Sequence, residues 1–148
     1  ALHDSEEGDD GWRGGCAAIN ARVGTYEGAG GGGRMSDILF ENIRIEDFRQ
    51  GQLVNLRIFF NEKYCKAPGR GIENILFKDI SYTGKDAEVS MIIGYDKERK
   101  VKNIRFENLT INGEVIYDDM PEKPKWYKTG DMARIFVGEH TEEVTFSK

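Results

Sequence analysis

The chain has 148 residues, a size that fits one domain, and with 39% hydrophobic and 32% charged residues it can bury a core provided the core is narrow. Its 26 acidic and 21 basic residues leave a net charge of -5, which argues against a nucleic-acid surface, because backbone binding needs clustered Lys and Arg. No run approaches the roughly 18 apolar residues that a membrane helix requires, so no membrane partner is expected.

Residues 1–35 read differently from the rest. Asp4, Glu6, Glu7, Asp9 and Asp10 form an acid run, and Gly30 to Gly33 are four consecutive glycines. Such a run cannot centre a helix or a strand and reads as a turn. It is no phosphate loop, because no Gly-Lys-Ser/Thr follows, and no strand–glycine–helix unit surrounds it. No signal-peptide pattern follows Ala1. Cys16 and Cys65, the two cysteines, are compatible with one disulfide or with two buried thiols. Ala17 to Val23 is the first candidate strand.

From Ser36 onward the chain repeats itself. Ser36-Asp37-Ile38-Leu39-Phe40-Glu41-Asn42-Ile43 returns as Ile72-Glu73-Asn74-Ile75-Leu76-Phe77-Lys78-Asp79-Ile80. It returns again as Val101-Lys102-Asn103-Ile104-Arg105-Phe106-Glu107-Asn108-Leu109, and Glu143-Val144-Thr145-Phe146 is a clipped copy. Alternation puts Ile38 and Phe40, Ile75 and Phe77, Ile104 and Phe106, and Val144 and Phe146 on one strand face. Two residues after each Phe stands Asn42, Asp79 or Asn108, a residue type that tolerates a left-handed corner and can bond its own backbone. The apolar residue that follows starts a second strand: Ile43 to Ile45, Ile80 to Tyr82, Leu109 to Ile111. Gly84 and Gly113 close two of these units.

A third strand set fills the gaps: Ala17 to Val23, Leu53 to Phe60, Val89 to Tyr95 and Met132 to Gly138. Each coil thus holds about three strands. Pro121 and Pro124 bracket a polar excursion from Asp118 to Lys128, which reads as a loop. A short strand and corner reused at intervals is the pattern of stacked coils, and a parallel β-helix is the fold expected. An antiparallel β-sandwich remains the rival, since strand composition alone does not exclude it. The predicted unit is one all-β domain over 1–148, a partial parallel β-helix preceded by the irregular acidic and glycine-rich segment 1–35.

The repeated words resemble the late coils of polygalacturonase-like glycoside hydrolases, a superfamily that includes dextranase-like enzymes. The stretch from Lys125-Trp126-Tyr127-Lys128 to Phe136-Val137-Gly138-Glu139-His140 is similar to the tail of bacterial members. The resemblance covers the chain from about Met35 onward. It implies a right-handed, pectin-lyase-like solenoid that hydrolyses glycosidic bonds of a polysaccharide or oligosaccharide, by inversion and without a cofactor, in a secreted or periplasmic setting. The pectin-cleaving members carry Asn-Thr-Asp, Asp-Asp, Gly-His-Gly and Arg-Ile-Lys in that order. This chain has neither Asn-Thr-Asp nor Gly-His-Gly, and an adjacent aspartate pair stands at Asp9-Asp10, in the acid run. Arg57-Ile58-Phe59 resembles Arg-Ile-Lys with the lysine replaced. Arg57 is carried over on that match, while Phe59 cannot hold a uronate, which favours a neutral glycan. The expected function is the C-terminal portion of a polysaccharide-degrading hydrolase, weak or inactive in isolation. The alternative is a non-catalytic glycan-binding or structural solenoid.

Inversion needs an acid and a base about 6.5–9.5 Å apart. The catalytic candidates are Glu7, Asp9 and Asp10, in the acid run. His3 and Trp12 near them are candidate sugar contacts. If Leu56, Ile58 and Phe60 point inward, then Asn55, Arg57 and Phe59 point out and form a guanidinium fork beside an apolar platform. Arg22 and Tyr95 occupy related strand positions, and Arg134 could extend the surface. His3, His140, Cys16 and Cys65 have no metal-ligand spacing, so no metal site is expected. Asn108-Leu109-Thr110 fits the glycosylation triplet. Open coil ends would expose unpaired backbone and favour homo-oligomers.

Overall fold

A computed structural model of the chain describes residues 17–25, 33–47, 51–60, 62–63 and 66–148. The elements in chain order are β1 (Ala17–Thr25), β2 (Arg34–Glu46), β3 (Gln52–Ile58), β4 (Ala67–Pro68), β5 (Gly71–Thr83), β6 (Ser90–Ile93), β7 (Val101–Ile111), β8 (Glu114–Ile116), α1 (Thr129–Met132), β9 (Ile135–Val137) and β10 (Thr141–Ser147). They form two sheets. The first runs β4-β1-β3-β6-β9, the second β10-β7-β5-β2 with β8 attached to β7. Apart from the short antiparallel partners β4 and β8, every pairing is parallel.

Chain order and sheet order together define the coil. The chain runs β1–β2, β3–β5, β6–β7 and β9–β10, each time from the first sheet to the second. These pairs are four stacked rungs of a parallel β-helix. The register is that of the repeated word. Ile38 pairs with Ile75, Ile75 with Ile104 and Ile104 with Val144. Phe40, Phe77, Phe106 and Phe146 follow the same line, with ring centroids 5.1, 4.7 and 4.8 Å apart and planes within 10°. That spacing is the interstrand distance of any sheet, so the rings stack because the strands do.

The bends come from single residues. Asn42, Asp79 and Asn108 have φ of 54–55°, and so form the left-handed corner that the repeated word predicts. A second corner ladder lies five residues earlier, at Asp37, Asn74, Asn103 and Glu143, with φ of 56–57°. Each corner takes up one position, so the inward–outward alternation restarts after it. Ile72, Ile75, Phe77, Ile80 and Tyr82 therefore all face the core although their spacing is not a plain period of two. Side-chain amides tie the corners together from rung to rung. Asn74 Nδ2 donates to Asp37 Oδ1 at 3.0 Å, Asn103 Nδ2 to Asn74 Oδ1 at 2.8 Å and Asn108 Nδ2 to Asp79 Oδ1 at 2.8 Å.

Several local expectations change. The second strands from Ile43, Ile80 and Leu109 are continuations of the word strands across a corner, so a coil has two hydrogen-bonded strands, one of them bent. Met132 to Arg134 is not strand. Met132 ends the helical turn α1, and Arg134 takes φ of 54°, leaving only Ile135–Val137 paired. Phe60 lies beyond the end of β3 and is exposed, not inward. Asn112-Gly113, with φ of 49° and 84°, makes the tight turn that folds β8 back on β7. The excursion leaves the stack at Asp118, forms turns as its prolines require, and is closed by Thr129, whose hydroxyl donates back to Asp118.

Candidate functional site

The outer faces of the two sheets differ in chemistry. On the second sheet the outward positions carry charge: Arg34 pairs with Glu73 at 2.9 Å, Lys100 with Glu142 at 2.7 Å and Lys78 lies 3.8 Å from Glu41. The Lys100 hydrogen bond and charge hold the Glu142 carboxyl below its usual range. Exposed pairs of this kind contribute little and read as a solvated face.

The outer face of the first sheet is polar on its first two rungs and apolar on the later two. Alternation away from the core-facing Val54, Leu56 and Ile58 puts Asn20, Asn55, Met91 and Phe136 in one cross-strand row. A second row holds Arg57 and Ile93. The backbone of Arg22 pairs in register with that of Arg57, and the Arg22 side chain lies outside the described residues. The first part of this face is sealed: Leu53 is buried, and Asn55 is only 1% exposed. Asn55 does lie opposite the core-facing residues, yet it does not reach solvent as expected. Its Nδ2 donates to Gln52 Oε1 at 2.8 Å, and Gln52 Nε2 donates to the Val89 carbonyl one rung on, at 2.9 Å. Two buried atoms here have no hydrogen-bond partner, Asn55 Oδ1 and Arg57 Nε. Buried polar atoms are nearly always paired, so the pair marks this stretch as unusual.

The later rungs of the same face are open. Val89 is 44% exposed, Tyr95 42% and Phe136 55%. Tyr95 follows β6 and is held by a tight turn. Its amide donates to the Arg99 carbonyl at 2.9 Å. Asp96 accepts from the Glu98 and Arg99 amides and from Arg99 Nη1, the last at 2.7 Å. Partial desolvation opposes ionisation of Asp96, but these hydrogen bonds outweigh it and the carboxyl sits below its usual range. Gly94, next to Tyr95, is required because a Cβ there would run into the backbone of His140.

The remaining sequence candidates are dispersed or undescribed. Glu7, Asp9, Asp10, His3, Trp12, Cys16 and Cys65 lie outside the described residues. Arg134 sits at the corner before β9, not within it. Phe59 is half-buried just after β3. His140 occupies a left-handed corner, and its carbonyl accepts the Val101 amide. Among the described residues, no three His, Cys, Asp or Glu side chains converge on a metal-sized site, and no helix is long and apolar enough to cross a membrane.

One centre escaped the sequence reading. Asp47 Oδ1 accepts from the Tyr82 hydroxyl at 2.9 Å and from the Asp86 amide at 3.1 Å, while Oδ2 accepts from the Lys85 amide at 3.2 Å. The Tyr82 hydroxyl in turn accepts the Ala87 amide at 3.1 Å. The signal was present as an aspartate directly after a strand, but its partners lie 35 to 39 residues away in sequence. Comparison of the chain with protein-family models, with curated proteins and with solved structures returns no significant match.

Proposed function

We propose that these coils bind a neutral polysaccharide along the outer face of the first sheet, as the C-terminal portion of a longer β-helix protein of polygalacturonase-like type whose hydrolysis, by inversion, is carried out elsewhere. The observation that carries this reading is the exposure of Val89, Tyr95 and Phe136 on and around the later strands of the first sheet, with Arg57 one rung earlier, where the second sheet has ion pairs instead. A sugar ring offers an apolar face and a rim of hydroxyls. An aromatic or aliphatic platform takes the first and a planar guanidinium the second. The fold supports the family resemblance only at the level of architecture, since a fold hosts many functions.

A non-catalytic glycan-binding module is the second reading, and one observation favours it. The described outward positions in register on the first sheet are Asn20, Asn55, Arg57, Met91, Ile93 and Phe136, with no carboxylate among them. Inversion requires two. Both readings expect the isolated chain to bind without efficient turnover. Affinity electrophoresis in dextran, arabinan and pectin gels tests this. The chain should be retarded in a neutral glycan, and Tyr95→Ala, Phe136→Ala and Arg57→Ala should each weaken retardation by about tenfold, or roughly 1.4 kcal/mol. Retardation in none of the gels, or hydrolysis at roughly tens of turnovers per second by these coils, would sink the proposal.

A further inference from the structure

The exit of β5 is gripped from both sides. Gly84 follows β5 and lies between Asp47, which follows β2 one rung earlier, and Asn112, which follows β7 one rung later. A Cβ on Gly84 would meet the Asp47 side chain at 2.5 Å, and Tyr82, Lys85 and Asp86 hold that side chain in place. From the other side the Asn112 side chain pairs with the Gly84 residue in both directions. Its Oδ1 accepts the Gly84 amide at 2.8 Å, and its Nδ2 donates to the Gly84 carbonyl at 2.9 Å. The Asn112 backbone amide continues the ladder by donating to the Tyr82 carbonyl at 2.8 Å. The pairing needs a side chain that carries a donor and an acceptor together, which a primary amide does and a carboxylate does not.

Asn112 also stands before Gly113 in the tight turn between β7 and β8, and it is the only asparagine of the chain with glycine after it. Both turn residues are exposed to water, and a Cβ on Gly113 would have nothing within 4 Å. A glycine amide carries no side chain to shield it, so it is the least hindered backbone nucleophile for the carbonyl carbon of the preceding side chain. We propose that Asn112-Gly113 is a site of self-modification by deamidation, with water as the co-reactant, and that the pairing with Gly84 holds it shut. The Gly113 nitrogen loses its proton to solvent and bonds to Asn112 Cγ. The Cγ–Nδ2 bond breaks, and Nδ2 takes a proton from solvent and leaves as ammonia. Water then opens the cyclic imide, at Cγ to give aspartate or at the backbone carbonyl to give isoaspartate. One water enters, one ammonia leaves, and nothing is oxidised or reduced. Turning Cγ toward the Gly113 nitrogen breaks both bonds to Gly84, so the reaction runs from a locally open state. The product cannot close again. Its carboxylate would face the Gly84 carbonyl with no proton between them. Isoaspartate would also lengthen the turn by one backbone atom and disturb the pairing of Ile111 with Glu114. A slow chemical event thus records each release of the third rung from the second.

The test uses the whole chain, incubated at mildly alkaline pH in heavy-oxygen water, with the same chain unfolded in urea as reference. Peptide mass spectrometry reads oxygen uptake at Asn112 against the other asparagines, and chromatography separates aspartate from isoaspartate. In the unfolded chain Asn112 should react at least about tenfold faster than any other asparagine, and in the folded chain at least about tenfold slower than in the unfolded one. At urea concentrations below the unfolding transition, the Asn112 rate should rise together with hydrogen exchange of the Gly84 amide. Asn112→Asp supplies one product directly and should unfold at a lower urea midpoint than the parent. The kinetic comparison needs no variant, so it stands if Asn112→Asp does not fold. Equal rates at Asn112 in folded and unfolded chains would overturn the proposal. So would an unfolded chain with no preference for Asn112, a rate indifferent to Gly84 exchange, or an Asn112→Asp chain with the parent's midpoint.

Discussion

Single residues carry the bends of this fold, and they do so at unequal cost. In the first three rungs the left-handed corners are Asp or Asn, whose short polar side chains tolerate that region. In the fourth rung the corners fall on Arg134, His140 and Glu143. A left-handed residue with an ordinary Cβ costs about 1–2 kcal/mol. Glu143 also ends the amide ladder, because it has no proton to donate to Asn103 Oδ1. Glu143→Asn should relieve part of the backbone strain and add the missing Asn-to-Asn bond. The expected gain is about 1 kcal/mol, read as a higher urea midpoint with an unchanged slope. A midpoint equal to or below that of the parent would show that this corner ladder does not stabilise the fold.

Elements hold one another across rungs, which decides how much of them was legible in the sequence. The word strands β2, β5 and β7 were legible because the same Ile, Phe and Asx positions recur in order. The earlier corner at Asp37, Asn74 and Asn103 lay inside those words, but alternation from Ile38 to Phe40 is complete without it and gave no reason to look there. The β7–β8 turn was announced by Asn112-Gly113, a pair that favours tight hairpins, and was read only as the end of a unit. The sealed half of the first sheet was not legible, since alternation says which face Asn55 occupies and not what lies over it. The link from β2 to β5 through Asp47 and Tyr82 was equally hidden. Its physics gives a pH test. Burial and then the hydrogen bond to Asp47 raise the Tyr82 phenol above its usual value. The neutral phenol's contribution is therefore complete below the unfolded value of about 10 and is lost as pH rises through the folded value. Unfolding midpoints should fall above about pH 10 in the parent chain, and more shallowly in Tyr82→Phe. That variant should also lose about 1–2 kcal/mol at neutral pH, because Asp47 and the Ala87 amide each lose a partner. Parallel pH profiles for the two chains would remove Tyr82 from the account.

The molecule as a whole is quasi-one-dimensional: each rung packs on its neighbours, so the ends decide whether the stack stays finite. The first-sheet edge at rung one is met by β4, whose Pro68 cannot donate to a ladder. At rung four the second-sheet edge is met by Asp118, and Thr129 Oγ1 donates to the same carboxylate at 2.5 Å. The polar excursion that the prolines predicted as a loop therefore does structural work, because it starts at the aspartate on the last strand and brings Thr129 back to hold its carboxylate. Asp118→Ala keeps the backbone bond to the Phe146 carbonyl but should leave the Phe146 amide without its acceptor and open to a neighbouring chain. Sedimentation at about 100 µM should show larger species than the parent forms, with stability lower by about 1–3 kcal/mol. Asp118→Asn keeps an acceptor for the Phe146 amide and should sediment like the parent. Thr129→Ala loosens the carboxylate without removing it and should fall between the two, which keeps the test open if Asp118→Ala does not fold. If Asp118→Ala folds and sediments with the parent at every concentration, the edge of β10 does not need its aspartate to stay single.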